Sequence, residues 1–163
     1  MTRDVALRPA DPEDAEFLLR VYASTRAQEL APVPWSDAQK DAFLRMQFTA
    51  QDTWWRDQKP TAEFHVILVG GAAAGRLYVD RRPAEIRVVD IALLPEYRGH
   101  GVGAGLLGAL IDEGDKAGKP VTIHVEAGNR ARGLYERLGF REISHTGVYA
   151  LMERPAPVTM EVV

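Results

Sequence analysis

The 163-residue chain contains no cysteine, which removes several kinds of site at once. Without thiols there is no disulfide scaffold, no cysteine nucleophile, no iron–sulfur cluster and no thiolate zinc site. Ser24, Ser36 and Ser144 all lie outside any G-x-S-x-G sequence, so the nucleophile of an α/β-hydrolase is excluded as well. The four histidines lack metal-ligand spacing such as H-E-x-x-H, and we predict no metal.

The chain also lacks a large excess of charge of one sign, and it lacks long apolar runs. The chain carries 20 Lys and Arg against 23 Asp and Glu, a formal net charge of −3, so no global positive field attracts nucleic acid. Apolar stretches such as 64–75 and 102–111 are too short to span a bilayer, and Asp4 interrupts a start that does not resemble a signal peptide. We therefore expect a cytoplasmic protein that does not bind membranes. The net charge argues against a nucleic-acid partner, although a local basic groove stays open, as does homodimerisation.

The hydrophobic pattern predicts one α+β domain over 1–154, followed by a loose tail over 155–163. The expected architecture is a mixed, mostly antiparallel central sheet of about six or seven strands with helices on both faces. Helices are predicted to start after Asp11, after Ser36, at Val102 and after Asn129, and to end before Pro32, before Pro60, at Ala117 and at Leu138. The predicted strands are 4–9, 64–69, 73–79, 86–94, 121–126, 140–143 and 148–152.

The segment 94–104 is the most informative part of the chain. A strand runs into a glycine-rich turn that opens directly into a helix, and the unpaired N–H groups at a helix start form an anion site together with the helix dipole. The alternative is a tight connection whose glycines serve packing alone, but basic residues on the turn favour phosphate binding. The glycines that would let a phosphate approach are Gly99, Gly101 and Gly103, and the basic residues are Arg98 and His100.

Two other phosphate-binding motifs fit less well. The run from Gly103 to Gly108 matches G-x-G-x-x-G formally, with Glu126 ending the next strand, but the match begins inside the predicted helix and the preceding strand belongs to an antiparallel meander. A Walker sequence is excluded because no Gly-Lys-Ser/Thr occurs. An NAD-binding fragment is therefore the weaker alternative.

Two segments resemble the motifs of one family. The segment 98–103, RGHGVG, resembles the Arg/Gln-x-x-Gly-x-Gly/Ala acyl-CoA signature of the GCN5-related N-acetyltransferase (GNAT) superfamily. The segment 129–140, NRARGLYERLGF, is similar to that family's Asn…Ala…Leu-Tyr-x-x-Leu-Gly-Phe segment. The motifs are specific over 85–143, whereas the resemblance over the first 80 residues is architectural only.

The resemblance implies how acetyl-CoA, the acyl donor, would bind. The turn amides would hold the pyrophosphate, a strand backbone would pair with the pantetheine chain, and the acyl carbonyl would lie in a splay between the strands ending at Leu94 and Glu126. The residues implied in coenzyme binding are Leu93, Arg98, Gly99, His100, Gly101, Val102, Gly103, Ala104 and Asn129.

Tyr135 is the candidate acid that protonates the departing thiolate, a role that the resemblance implies. Direct acyl transfer needs a deprotonated amine, a polarised carbonyl and a proton for the leaving sulfur. Tyr135 lies six positions after Asn129, so its hydroxyl can reach the cleft in front of the strands. The alternative is a core tyrosine whose hydroxyl is satisfied within the protein.

Glu85 is the candidate base, because it matches a position where relatives carry a glutamate that acts directly or through water. Asp90 is a candidate contact for the substrate ammonium. Strict strand alternation places these two carboxylates on opposite faces unless a bulge intervenes. For each of them the alternative is a salt bridge, with Arg87 or Arg76 as a plausible partner.

Trp35 stands at the junction of the first two helices, where the family builds its acceptor wall. Glu29 and Gln47 are polar candidates beside it, since an acid with aromatic rings suits a cationic amine. Helical core spacing explains these residues equally well.

The sequence thus predicts an N-acetyltransferase that moves an acetyl group from acetyl-CoA to a primary amine of a small molecule, peptide or protein. Direct attack in a ternary complex is expected, because a cysteine-free chain cannot form a cysteine acyl-enzyme. The alternative from another functional class is a non-catalytic acyl-CoA-binding or sensing module.

Overall fold

The structure is a computed structural model that describes residues 4–157. Its helices are α1 (Ala15–Leu30), α2 (Asp37–Gln58), α3 (Val102–Ala117) and α4 (Arg132–Arg137). Its strands are β1 (Val5–Pro9), β2 (Glu63–Val69), β3 (Ala72–Arg81), β4 (Ile86–Leu93), β5 (Val121–Glu126), β6 (Arg141–Thr146) and β7 (Tyr149–Arg154).

The strands form one seven-stranded mixed sheet in the order β1-β2-β3-β4-β5-β7-β6. β4 and β5 are parallel, whereas β1 with β2, β5 with β7 and β6 with β7 are antiparallel. The strand–helix–strand pattern around α3 explains the parallel pair, because parallel neighbours need a crossover connection. The predicted α+β class with a mixed sheet is confirmed.

Residue contacts divide the described chain into two compact units. The first holds the residues up to Tyr78 together with Ile91–His100, and the second holds Val79–Asp90 and the residues from Gly101 onward. The chain passes from one unit to the other within β3, within β4 and at the start of α3. The domain boundary at residue 154 stays a prediction.

The first unit begins its helical segments with the predicted caps. Asp11 and Asp14 form a capping box at a 3-10 turn before α1, and Ser36 and Gln39 form another at the start of α2. Two hydrogen bonds from Arg8, at 2.7 and 2.8 Å, hold the pKa of Asp14 down at about 2. The core of this unit contains Leu18, Leu19, Val21, Tyr22, Val66, Ile67, Ala74 and Leu77.

The second unit contains α3 and β5, whose ends lie where the sequence predicts them. α3 ends at Ala117 and is capped by Gly118, which takes a left-handed conformation with φ 68°. Gly114 is buried on the inner face of α3, where a Cβ atom would lie 2.7 Å from the carbonyl oxygen of Lys119. The core of this unit contains Ile86, Val88, Val102, Leu107, Leu110, Ile111, Ile123, Val125, Phe140 and Met152.

Three local predictions are wrong in detail. α4 begins at Arg132 rather than directly after Asn129, because the Asn129 side chain accepts the N–H of Ala131 at 2.8 Å and closes a turn before the helix. Helical spacing predicts Leu106 on the buried face of α3 with Val102, Leu110 and Ile111, but Leu107 is the buried leucine there. The sixth strand begins one residue later than predicted and extends to Thr146.

No helix within residues 4–157 has both the length and the apolar character needed to cross a membrane. Residues 155–157 belong to no helix or strand. The remainder of the predicted loose tail, 158–163, lies outside the described residues.

Candidate active site

The glycine-rich turn has the backbone geometry that an anion site needs. Gly99 and Gly101 have φ of 77° and 82°, in the left-handed region that side chains with a Cβ rarely adopt. Gly101 is the N-cap of α3, and the first turn of that helix carries no acidic residue. The N–H groups of Val102, Gly103 and Ala104 therefore open a helix whose positive end is not neutralised.

The glycines of this turn leave the space in front of α3 open. A Cβ atom built at Gly99, Gly101 or Gly103 would meet no other atom within 4 Å. The formal G-x-G-x-x-G match over 103–108 lies wholly inside α3. A dinucleotide-binding fold has these glycines in the turn before the helix, so the match does not indicate one. The turn before α3 leaves room for an anionic group.

The Arg98 side chain does not extend along the turn. Its Nε donates to the carbonyl oxygen of Leu93 at 2.9 Å, and its Nη2 donates to Ser24 Oγ at 3.3 Å. The guanidinium is thus directed toward the end of β4 and toward α1, all within the first unit. His100 is exposed.

Asn129 lies in the loop between β5 and α4, after Gly128 with φ 81°. Its carboxamide oxygen is occupied by the N–H of Ala131. Asn129 is exposed, and the two N–H donors of its NH2 group can bind a ligand.

Tyr135 is buried on α4, with 4% of its surface exposed, and its ring meets Phe140 edge-on at 6.0 Å. Burial and the negative charge of Asp90 raise the pKa of Tyr135 to about 12. No hydrogen bond to its hydroxyl occurs among residues 4–157. The phenol therefore keeps its proton over the whole physiological pH range.

Glu85 lies immediately before β4 and is held by three partners. It accepts from Arg82 at 2.9 Å, from Arg87 at 3.1 Å and from the hydroxyl of Thr122 at 3.0 Å. Thr122 is buried and also accepts from Arg87 Nε at 2.7 Å, and burial lowers the pKa of the Arg87 guanidinium. These contacts match the salt-bridge alternative for Glu85.

Each predicted acceptor-side residue of the first unit contacts a different neighbour. Gln47 accepts the hydroxyl of Tyr22 at 3.1 Å, Trp35 packs edge-on against Phe43 at 5.3 Å, and Glu29 pairs with Arg26 at 3.2 Å. These residues belong to α1, α2 and their connection in the first unit, whereas Asp90 belongs to β4 in the second.

Sequence reasoning missed two polar residues that the structure joins to the predicted ones. Ser24 contacts Arg98 across 74 positions, and Thr122 contacts Glu85 across 37 positions. Neither Ser24 nor Thr122 lies in a sequence motif, so no sequence signal could have identified these two residues. No group of three or more potential metal ligands occurs within residues 4–157.

Comparison with known proteins identifies the family. The acetyltransferase (GNAT) family model matches residues 21–140, so the chain belongs to that family. A curated relative is the [ribosomal protein bS18]-alanine N-acetyltransferase of Haemophilus influenzae, which is 42% identical over 60 residues. That match covers 36% of this chain and 41% of the relative, less than half of its length.

Solved structures share the fold at low sequence identity. PaiA N-acetyltransferase of Thermoplasma acidophilum, in complex with coenzyme A, has a TM-score of 0.69 at 19% identity, covering 93% of this chain and 99% of that one. The ribosomal-protein-S18-alanine N-acetyltransferase of Escherichia coli has a TM-score of 0.60 at 23% identity, covering 98% and 99%.

Proposed function

We propose that the protein transfers an acetyl group from acetyl-CoA to a primary amine by direct attack in a ternary complex. The observation that carries this proposal is the open turn over 98–104: the first turn of α3 carries no acidic residue, and a Cβ atom built at Gly99, Gly101 or Gly103 would meet nothing within 4 Å. Family membership supports acetyl transfer as the chemistry. Coenzyme A, when bound, supplies the acetyl group as a thioester.

The chain's backbone holds the coenzyme in this proposal. The amides of Val102, Gly103 and Ala104 bind the pyrophosphate, with Gly99 and Gly101 shaping the approach. The NH2 group of Asn129 and the backbone of Leu93 bind the pantetheine part. Because the net charge is −3, this local site and not the overall field must attract the anionic coenzyme.

Tyr135 is the acid of the proposed reaction. The neutral amine nitrogen forms a bond to the acetyl carbon while the carbon–sulfur bond breaks, and the departing sulfur takes the proton of the Tyr135 hydroxyl. The nitrogen of the new amide gives up one proton, which restores the phenol of Tyr135. A pKa of about 12 keeps that proton in place until a thiolate develops nearby. The absence of a hydrogen-bond partner among the described residues leaves the hydroxyl available to the sulfur.

Two carboxylates have proposed roles, Glu85 as the base and Asp90 as a contact for the substrate ammonium. The three hydrogen bonds of Glu85 favour a structural role for it, and its function as the base stays a prediction. Asp90 is near enough for its charge to act on Tyr135, which supports its placement among the reacting groups of the second unit.

The acceptor is a primary amine of a small molecule, peptide or protein. The names of two relatives specify an alanine of ribosomal protein S18 and N-acetyl transfer, so a peptide with an N-terminal alanine is the first acceptor to test. Glu29, Trp35 and Gln47 are the proposed acceptor-side residues. A cytoplasmic location also stays a prediction.

Isothermal titration with acetyl-CoA tests the coenzyme site. Gly101→Asp puts a carboxylate beside the phosphates, where a like charge at contact distance costs about 4 kcal/mol, roughly a thousandfold in affinity. Gly118→Asp is the matched control, because Gly118 also has a left-handed φ (68°, against 82° for Gly101) and open space around its Cβ position but lies at the other end of α3.

Gly101→Asn separates charge from backbone strain, since Asn has the shape of Asp without its charge. We expect Gly101→Asn to bind more tightly than Gly101→Asp and Gly118→Asp to bind like the wild type. Wild-type affinity in Gly101→Asp would refute the phosphate site. A sensing module would bind acetyl-CoA equally well but would acetylate no amine.

A further inference from the structure

Ser24 lies on α1, outside the two motifs over 98–103 and 129–140, yet its hydroxyl contacts Arg98, the first residue of the proposed coenzyme-binding turn. Ser24 Oγ donates its single hydrogen to the carbonyl oxygen of Val21 at 2.7 Å. The hydroxyl oxygen can therefore only accept a hydrogen bond from Arg98, and Arg98 Nη2 donates to it at 3.3 Å.

Arg98 is held at a second point by the backbone. Its Nε donates to Leu93 O at 2.9 Å and closes a ring over 93–98, inside which Tyr97 N donates to Leu94 O at 3.0 Å and Arg98 N to Pro95 O at 3.2 Å. The chain between the end of β4 and Gly99 is thus fixed by three hydrogen bonds. The direction in which it enters the left-handed glycines depends on this ring.

The planar guanidinium suits this arrangement better than an ammonium would. Its Nε and Nη2 groups point in fixed, different directions, so one side chain can bind a carbonyl and a hydroxyl at the same time. Arg98 is half-buried, and two of its N–H groups are directed at protein oxygens.

We propose that Ser24 is a positioning residue for acetyl-CoA binding: together with the Leu93 carbonyl it holds Arg98 as a brace that orders the turn. Arg98 in this arrangement contributes geometry to the site and is not itself a phosphate ligand. The inference rests on the proposed function only in that acetyl-CoA is the ligand of the turn.

The first test compares Ser24→Ala with Thr25→Ala by titration with acetyl-CoA. Thr25 is a close control, because its hydroxyl makes the same kind of bond to the helix backbone, to Tyr22 O at 2.6 Å, and does not contact Arg98. We expect Ser24→Ala to weaken binding by about two- to tenfold, the value of one ordinary hydrogen bond, and Thr25→Ala to stay within about twofold.

The second test separates bracing from charge. Arg98→Lys keeps the positive charge but loses the fork, and Arg98→Gln loses both. A brace predicts that the two variants weaken acetyl-CoA binding by similar factors, whereas a phosphate ligand predicts that Arg98→Lys binds nearly as the wild type does. In the Arg98→Lys background, Ser24→Ala should have no further effect, since the residues then act as one unit.

A third measurement needs no coenzyme. Hydrogen exchange of the free protein should show faster exchange of the amides of Tyr97 and Arg98 in Ser24→Ala than in the wild type, and no change there in Thr25→Ala.

Unchanged binding and exchange in Ser24→Ala, equal losses in Ser24→Ala and Thr25→Ala, or near-normal binding by Arg98→Lys would each overturn the proposal. If the wild type itself binds no acetyl-CoA, the proposed function fails first and this inference with it. If the wild type binds and Ser24→Ala does so equally well, only the positioning role is lost.

Discussion

Tyr135 and Glu85, the two residues predicted to handle protons, have opposite surroundings within the second unit. Tyr135 is buried, its ring contacts Phe140, and its hydroxyl finds no hydrogen-bond partner among the described residues. Glu85 accepts three hydrogen bonds from two arginines and a threonine. A group that must exchange a proton with a ligand needs a free polar atom, so the comparison favours the acid role of Tyr135 over the base role of Glu85.

The difference also shows why burial has opposite meanings for the two groups. Burial of a phenol stabilises its neutral form, which is the form an acid needs. A partly buried carboxylate is stabilised by partners that also restrain it, as Arg82 and Arg87 restrain Glu85. The following substitutions test this difference between Tyr135 and Glu85.

Tyr135→Phe should have the largest effect. Removing a general acid costs about a hundredfold or more in kcat, while the affinity for acetyl-CoA should change little because the ring remains. Tyr149→Phe is the control, since Tyr149 is an exposed tyrosine of the same unit. Steady-state kinetics that found unchanged turnover in Tyr135→Phe would remove this residue as the acid.

Glu85→Gln should act mainly on stability. It weakens the contacts to Arg87 and Thr122 and should lower the free energy of unfolding by about 1–2 kcal/mol, with kcat reduced less than about tenfold. Denaturant titration should show a smaller change in Glu136→Gln, because the Glu136 pair with Arg132 is exposed. A hundredfold loss of kcat without loss of stability would instead identify Glu85 as the base.

The raised pKa of Tyr135 predicts a stability loss at alkaline pH. The unfolded chain releases this proton near pH 10 and the folded chain near pH 12. The contribution of Tyr135 to the free energy of unfolding is therefore constant below pH 10 and falls as the pH rises from 10 to 12. At about pH 11 the loss should be about 1 kcal/mol. Tyr135→Phe should lack it, and parallel pH profiles of the two proteins would contradict the assignment.

Asp90→Asn should give the smallest change. Because the negative charge of Asp90 opposes the phenolate, its removal should lower the pKa of Tyr135. The difference between ultraviolet titrations with and without Tyr135→Phe isolates this residue, and Asp112→Asn on the exposed face of α3 serves as the control. An unchanged Tyr135 titration would separate Asp90 from the reacting groups.

The parts predictable from the sequence are those in which local chemistry decides the structure. The capping box of Ser36 and Gln39, the glycine turn before α3 and the bounds of β5 all follow from neighbouring residues. Contacts between distant residues carry no such signal. The bond from Arg98 to Ser24 depends on how α1 packs in the first unit, and the position of α4 depends on which side-chain bond Asn129 makes.

The central claim, acetyl transfer to an amine, is tested most directly by mass spectrometry of acceptors incubated with acetyl-CoA. The acceptors are a peptide with an N-terminal alanine, a lysine-containing peptide with a blocked N-terminus, and a small diamine. The account predicts that the wild type adds one acetyl group to at least one of them and that Gly101→Asp adds none. Saturable binding of acetyl-CoA with no acetylated product from any amine would contradict it and would favour a sensing module.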